Sequence, residues 1–129
     1  VYIDTPPNFN FYSKAALIAA DSVLIPFDCD SFARQSLYSL LDNIGELQED
    51  HNPDLEVEGI VINQFNSQAN LPAELVGELE EEGLPIFTSY LSSSVKMRES
   101  HEQCLPLIHL APRHKLTDEF LALYDEIHG

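Results

Sequence analysis

Short apolar runs that alternate with helical patterns constrain this sequence most. The runs over 23–27 and 57–62 are continuously apolar or nearly so, which is typical of strands buried on both faces. Between them, residues 32–49 carry apolar side chains at helical spacing and predict an amphipathic helix. The alternation continues to the end of the chain. The sequence therefore predicts an α/β fold with a mostly parallel sheet of about five strands flanked by helices.

The same patterns predict the remaining elements. We expect strands over 1–3, 84–87 and 105–108, the last as an edge strand that tolerates its proline. Further helices are expected over 14–20, from 70 to Gly83, over 95–103 and from Thr117 onward. Ser13 and Thr117 are the expected N-caps of the first and last helices. The 129 residues are long enough for one core, so we expect a single domain, residues 1–129.

Charge narrows the possible partners. The formal net charge is −16, from 22 acidic against six basic residues, and such a chain mostly repels nucleic acid. Four of the bases fall within residues 96–115, where they form either a small positive face or a solvated surface. No apolar run reaches bilayer length and no signal peptide is visible, so we expect a reduced cytosolic protein. Cys29 and Cys104 are then ordinary thiols.

The first residues place an acid at a strand end. The apolar run 1–3 stops at Asp4 and Thr5, which two prolines follow. Ligands of open α/β sheets lie at the carboxyl ends of strands, and a carboxylate there suits Mg²⁺. The alternative is that Asp4 only caps the following turn. The other strand ends would bring Asp28, Asn63 and Ser89 to the same rim.

The sequence lacks most of the short motifs that mark catalytic sites. The GxxxxGK[ST] pattern of a phosphate-binding loop does not occur, and no glycine precedes a lysine. The serines lack a GxSxG elbow. His101 and Cys104 could share a helix face, but a structural zinc site needs four ligands. A phosphorylatable receiver domain is disfavoured because Asp4 lacks an acidic neighbour.

Several segments taken together resemble the ParA/MinD family of deviant Walker A partitioning ATPases. The segment from Tyr2 to Pro7 matches the family's Walker B and switch II region. Residues 16–26 match the helix and strand that follow it, and residues 52–60 match the approach to the next strand. The likeness covers nearly the whole chain in the correct order and corresponds to the C-terminal part of the ATPase domain.

The resemblance implies a P-loop NTPase-like, Rossmann-like layered fold and an ATP- and Mg²⁺-dependent dimerising switch that positions plasmids, chromosomes or other cargo in the cytoplasm. Asp4 would hold Mg²⁺, through water, and Thr5 would sense the γ-phosphate. Asn63 would contact adenine, or else simply end its strand in a turn. Pro112 would approach the base. The implied partners are a second copy and a ParB-like or cargo adaptor protein.

Three departures qualify that implication. The family's phosphate loop is not in these residues, and its strand normally lies between 1–3 and 23–27, which predicts a gap in an incomplete sheet. The family's Ile-Pro-Arg is replaced by Tyr90-Leu91-Ser92, which puts DNA binding in doubt. We therefore expect these 129 residues alone neither to hydrolyse ATP nor to bind it tightly. The alternative is a non-catalytic α/β interaction domain that pairs through exposed sheet edges.

Overall fold

The computed structural model describes residues 1–5, 9–28, 33–66 and 70–128, with only the backbone described at 33, 70 and 71. Its helices are α1 (Phe11–Ala19), α2 (Ala33–Asp50), α3 (Asn70–Glu81), α4 (Val95–Gln103), α5 (Leu107–Leu110) and α6 (Lys115–His128), and its strands are β1 (Ser22–Asp28) and β2 (Glu56–Asn63). Pro6, Pro7, Cys29 and Phe32, which entered the sequence predictions, lie outside the described residues.

The sheet is parallel, as predicted. β1 pairs with β2 from Ser22↔Glu56 to Asp28↔Asn63, with a register shift after Val23. Beyond β2 the sheet continues through single parallel bridges, Ile60↔Ile86 and Phe65↔Ser92. The predicted strand 84–87 is thus present only as a bridge. The crossover from β1 to β2 runs through α2, as parallel strands require.

Apolar side chains pack on both faces of β2, which explains its continuous apolar run. Ile60 and Ile62 belong to a cluster that includes residues of α1, β1, α2 and α3. Val61 belongs to a second cluster with Leu91 and with residues of α5 and α6. Because neighbouring residues of a strand face opposite sides, helices cover β2 on both faces. The predicted α/β class is confirmed.

The predicted first strand is not formed. Residues 1–5 have no strand pairing, and the side chains of Tyr2 and Ile3 are 73% and 56% exposed. A β-strand needs a neighbour to accept its backbone hydrogen bonds. Among the described residues β1 pairs with β2 alone, and residues 1–3 have no strand next to them to pair with.

The strand predicted over 105–108 is also wrong. Leu107–Leu110 is helical and begins after Pro106, whose carbonyl accepts the N–H groups of His109 at 2.9 Å and Leu110 at 3.0 Å. Proline is well tolerated at the start of a helix, because its φ is fixed near the helical value and it has no N–H group that would be left without a partner there. A short apolar run with a proline fits either structure, and packing of Leu107 into the second cluster favours the helix.

Two predicted caps are also wrong, although their helices exist. α1 is capped by Asn10, whose side chain accepts from Tyr12 N and Ser13 N. Thr117 lies inside α6, 1% exposed, and its hydroxyl donates to the carbonyl of Ala111 at 2.6 Å. In the described part of the chain, no helix combines the length and the apolar character that a bilayer crossing requires.

Candidate functional site

An open cleft of about 940 Å³ lies along β1. Residues 1–3 and Thr5, residues of α1 and most of β1 line it. Leu24 and Pro26 border it, and so do Leu17, Ile25 and Ile44 of the first cluster. The cleft therefore lies beside β1, the strand next to which the sequence predicts a gap in the sheet.

The cleft brings together some of the predicted site residues. Thr5, Asp28 and Asn63 all line it. Asp28 and Asn63 are register partners at the carboxyl ends of β1 and β2, as predicted for a common rim. Asp4 is exposed next to Thr5 but is not among the lining residues.

Pro112 and Ser89 are not among the residues that line the cleft. Pro112 is exposed in the turn before α6, and Ser89 is half-buried beside that helix. The structure thus separates these two positions from the group around Asn63.

The segment that carries Asp4 and Thr5 is attached to the end of α6. The Tyr2 hydroxyl lies 2.7 Å from Nε2 of His128, and the two rings meet edge to face at 6.2 Å. Tyr124 also packs against His128, with a ring-centroid distance of 4.5 Å. Residues at opposite ends of the chain make this contact, so sequence reasoning had no local signal for it.

Backbone hydrogen bonds fix the turn that carries Asn63. The N–H of Leu91 donates to the carbonyl of Ile62 at 2.8 Å, and the N–H of Phe65 donates to the carbonyl of Leu91 at 2.8 Å. Asn63 and Gln64 lie between these two bonds, and Gln64 adopts a left-handed φ of 52°. We call residues 88–92 the bracket loop, because Leu91 makes one hydrogen bond to the residue before this turn and one to the residue after it.

Two carboxylates of α6 hold the bracket loop. Glu119 accepts from Ser92 twice, from N–H at 3.2 Å and from Oγ at 2.8 Å. Glu126 accepts from the N–H groups of Thr88 at 2.6 Å and Ser89 at 2.9 Å. Sequence reasoning missed both acids, because their hydrogen-bond partners lie 27 to 38 positions away in the sequence, in the bracket loop.

The environment of Glu126 favours its charged form. Partial burial raises the pKa of this carboxyl, but hydrogen bonds from Ser89 and Thr88 outweigh that effect, so that its pKa lies below the usual value. An ionised acceptor also makes a stronger bond to a backbone N–H than a neutral one.

Helix α1, which follows the Thr5 segment, is held at its C-terminal end by Asn52. The side-chain amide of Asn52 donates to the carbonyls of Leu17 at 3.0 Å, Ile18 at 3.0 Å and Ala20 at 2.9 Å. The last carbonyls of a helix have no partner within it. Asn52 therefore ties the wall of the cleft to the connection between α2 and β2.

The cleft offers oxygen and amide groups rather than a complete metal site. Among the described residues, no three His, Cys, Asp or Glu side chains are arranged to hold a metal ion. Mg²⁺ is commonly bound by one or two carboxylates together with substrate phosphates and water. The acids at this rim fit Mg²⁺ in that partial way. The amide of Asn63 can both donate and accept, as the edge of adenine requires.

Comparison with known proteins gives relatives over nearly the whole chain. The AAA domain family model matches residues 1–57. The chromosome partitioning protein ParA of Myxococcus xanthus is 33% identical over 128 residues, which are 98% of this chain and 45% of that protein. The sporulation initiation inhibitor protein Soj of Bacillus subtilis is 27% identical over 98% of this chain and 51% of its own length. The predicted resemblance to the ParA/MinD family is confirmed.

This ParA-like chain spans about half the length of the curated relatives it matches. A solved structure of cobyrinic acid a,c-diamide synthase from Mycobacterium smegmatis superposes on 78% of the chain with a TM-score of 0.55, at 22% identity and over 43% of that protein. That likeness supports the P-loop NTPase-like fold. The same synthase has been crystallised with an ATP analogue and magnesium.

Proposed function

We propose that this chain is the C-terminal part of the ATPase domain of a ParA-like partitioning protein, folded as one domain over residues 1–129. The whole protein would act as an ATP- and Mg²⁺-dependent dimerising switch in the cytoplasm. The single observation that carries the proposal is the cleft along β1. It lies beside β1, where the resemblance implies a further strand, and Thr5, Asp28 and Asn63 line it, in a chain that matches ParA over 98% of its length.

The proposed roles follow from the chemistry of residues that line the cleft or, for Asp4, lie next to one that does. Asp4 holds Mg²⁺ through water, and Mg²⁺ when bound neutralises charge on the transferring phosphate. Thr5 senses the γ-phosphate from the lining of the cleft, and Asn63 recognises adenine with its amide. Pro112 is the weakest assignment because it lies away from the cleft. A phosphate loop from the rest of the ParA-like protein supplies the backbone donors that these residues do not provide.

Partners are proposed on the same basis. A second copy and a ParB-like or cargo adaptor protein would bind the complete switch. The net charge of −16 supports the further proposal that this part of the protein does not bind DNA non-specifically.

A chimera tests the assignment of roles. The upstream part of Myxococcus xanthus ParA is joined to this chain, and ATP hydrolysis is measured with ATP and Mg²⁺. Asp4→Ala is expected to lower kcat about tenfold or more, whereas Asn63→Ala raises KM. Asp54→Ala is the matched control, since Asp54 is an exposed acid in the connection between α2 and β2 and is not among the residues that line the cleft. Equal effects of Asp4→Ala and Asp54→Ala would contradict the proposed roles.

A non-catalytic interaction domain is the second candidate, and the exposed apolar side chains of Tyr2 and Ile3 beside an open strand edge favour it. Such an edge promotes pairing with another chain. Sedimentation of the purified chain separates the two functions. A monomer at high concentration removes the main support for this second candidate.

A further inference from the structure

Helix α6 presents one continuous face to the bracket loop. Leu116, Glu119, Leu123 and Glu126 follow each other at spacings of three and four residues, so they lie along one side of the helix. Leu91, 6% exposed, packs in the cluster that contains Leu116 and Leu123. The two acids alternate with these leucines and bind the ends of the loop.

The position of the loop decides the position of Asn63. Leu91 makes one hydrogen bond before Asn63 and one after Gln64, so the turn between β2 and Phe65 follows any displacement of Leu91. Burial alone leaves a loop free to slide along an apolar surface, because hydrophobic contacts are non-directional. Hydrogen bonds to both oxygens of each carboxylate remove that freedom.

We propose that Glu119 and Glu126 are positioning residues, which act through the bracket loop to orient Asn63 toward the cleft. The inference rests on the proposed function in one respect, the recognition of adenine by Asn63. The side chains of both acids accept hydrogen bonds from the loop, from Thr88 and Ser89 in the case of Glu126 and from Ser92 in the case of Glu119. Their role is to keep the amide of Asn63 aligned before a nucleotide arrives, which reduces the entropic cost of binding.

The first test measures amide hydrogen exchange in the purified chain, with NMR as the method of detection. In the double variant Glu119→Gln/Glu126→Gln, exchange of the Phe65 and Leu91 amides is expected to accelerate roughly tenfold or more. The side-chain amide signals of Asn63 are expected to shift. Amides in α2 keep their rates, because they belong to the other cluster.

The control for that test is Asp118→Asn/Asp125→Asn, which removes the same charge from exposed positions of α6. It should leave the Phe65 and Leu91 amides unchanged. Unchanged exchange in the glutamine variant would overturn the proposal. Equal acceleration of all amides would do the same, because it indicates a general loss of stability.

The second test uses the ATPase chimera and separates positioning from function. The double glutamine variant is expected to raise KM for ATP several-fold while kcat at saturating ATP is retained. A fall in kcat at constant KM would overturn the positioning role. If the side-chain amide signals of Asn63 in the unmodified chimera do not change when ATP is added, the proposed function fails. The hydrogen-exchange experiment does not depend on ATP and still tests whether the two acids hold the turn.

Discussion

At the scale of single residues, Asn52 illustrates how one amide shapes the cleft. It offers two N–H groups to three carbonyls at the end of α1. Asn52→Ala should lower the free energy of unfolding by about 1–3 kcal/mol, because partly buried carbonyls lose their donor. Urea denaturation measures this change. The control Asp54→Ala alters an exposed neighbour and should have little effect. A loss in Asn52→Ala no larger than in that control would contradict the account.

Replacing glycine by alanine should have opposite effects on stability at Gly59 and Gly77. A Cβ on Gly59 would lie 2.3 Å from the ring of Phe87, whereas a Cβ on Gly77, within α3, meets nothing within 4 Å. Gly59→Ala should therefore cost about 1–3 kcal/mol of stability, and Gly77→Ala should add up to about 1 kcal/mol. Adding Phe87→Leu to Gly59→Ala should restore part of the loss. Equal effects of the two alanines in urea denaturation would refute the packing of Phe87 on β2.

At the scale of elements, the contact of α6 with the bracket loop should depend on pH. The pKa of Glu126 is lowered in the folded state from its ordinary value of 4.5. Its ionised form thus adds stability above that value, and the contribution is lost as the pH falls through the folded-state pKa. The difference in unfolding free energy between the unmodified chain and Glu126→Gln should shrink below pH 4.5.

Denaturant titrations from neutral to acidic pH check this prediction. Asp125→Asn serves as the control, since it removes one exposed carboxylate from the same helix. A difference for Glu126→Gln that stays constant through the acidic range would show that the carboxylate does not stabilise the bracket loop by its charge.

Elements with local signals were predictable from the sequence, and elements defined by distant partners were not. β2 has a continuous apolar run because both of its faces are covered, and α4 was predicted over its observed range because Ser94 caps it. Residues 1–3 have strand composition but no neighbouring strand to pair with. The site shows the same division. The proximity of Asp28 and Asn63 followed from strand ends, whereas the contacts of Glu119 and His128 depend on tertiary packing alone.

At the scale of the whole molecule, the described part of the sheet is open along β1, where the proposed ParA-like site would need a phosphate loop. β1 has one paired neighbour among the described residues, and the cleft of about 940 Å³ follows it. The groups at the cleft can recognise a base and contribute to Mg²⁺ binding, but tight nucleotide binding needs several charge-assisted hydrogen bonds to phosphate. This chain therefore carries only part of the proposed site.

Calorimetric titration of ATP with Mg²⁺ into the purified 129-residue chain tests this central claim most directly. We expect no binding in the micromolar range for the chain alone. We expect binding once the upstream part of Myxococcus xanthus ParA is joined to it. Micromolar binding of ATP by the 129 residues alone would contradict the account.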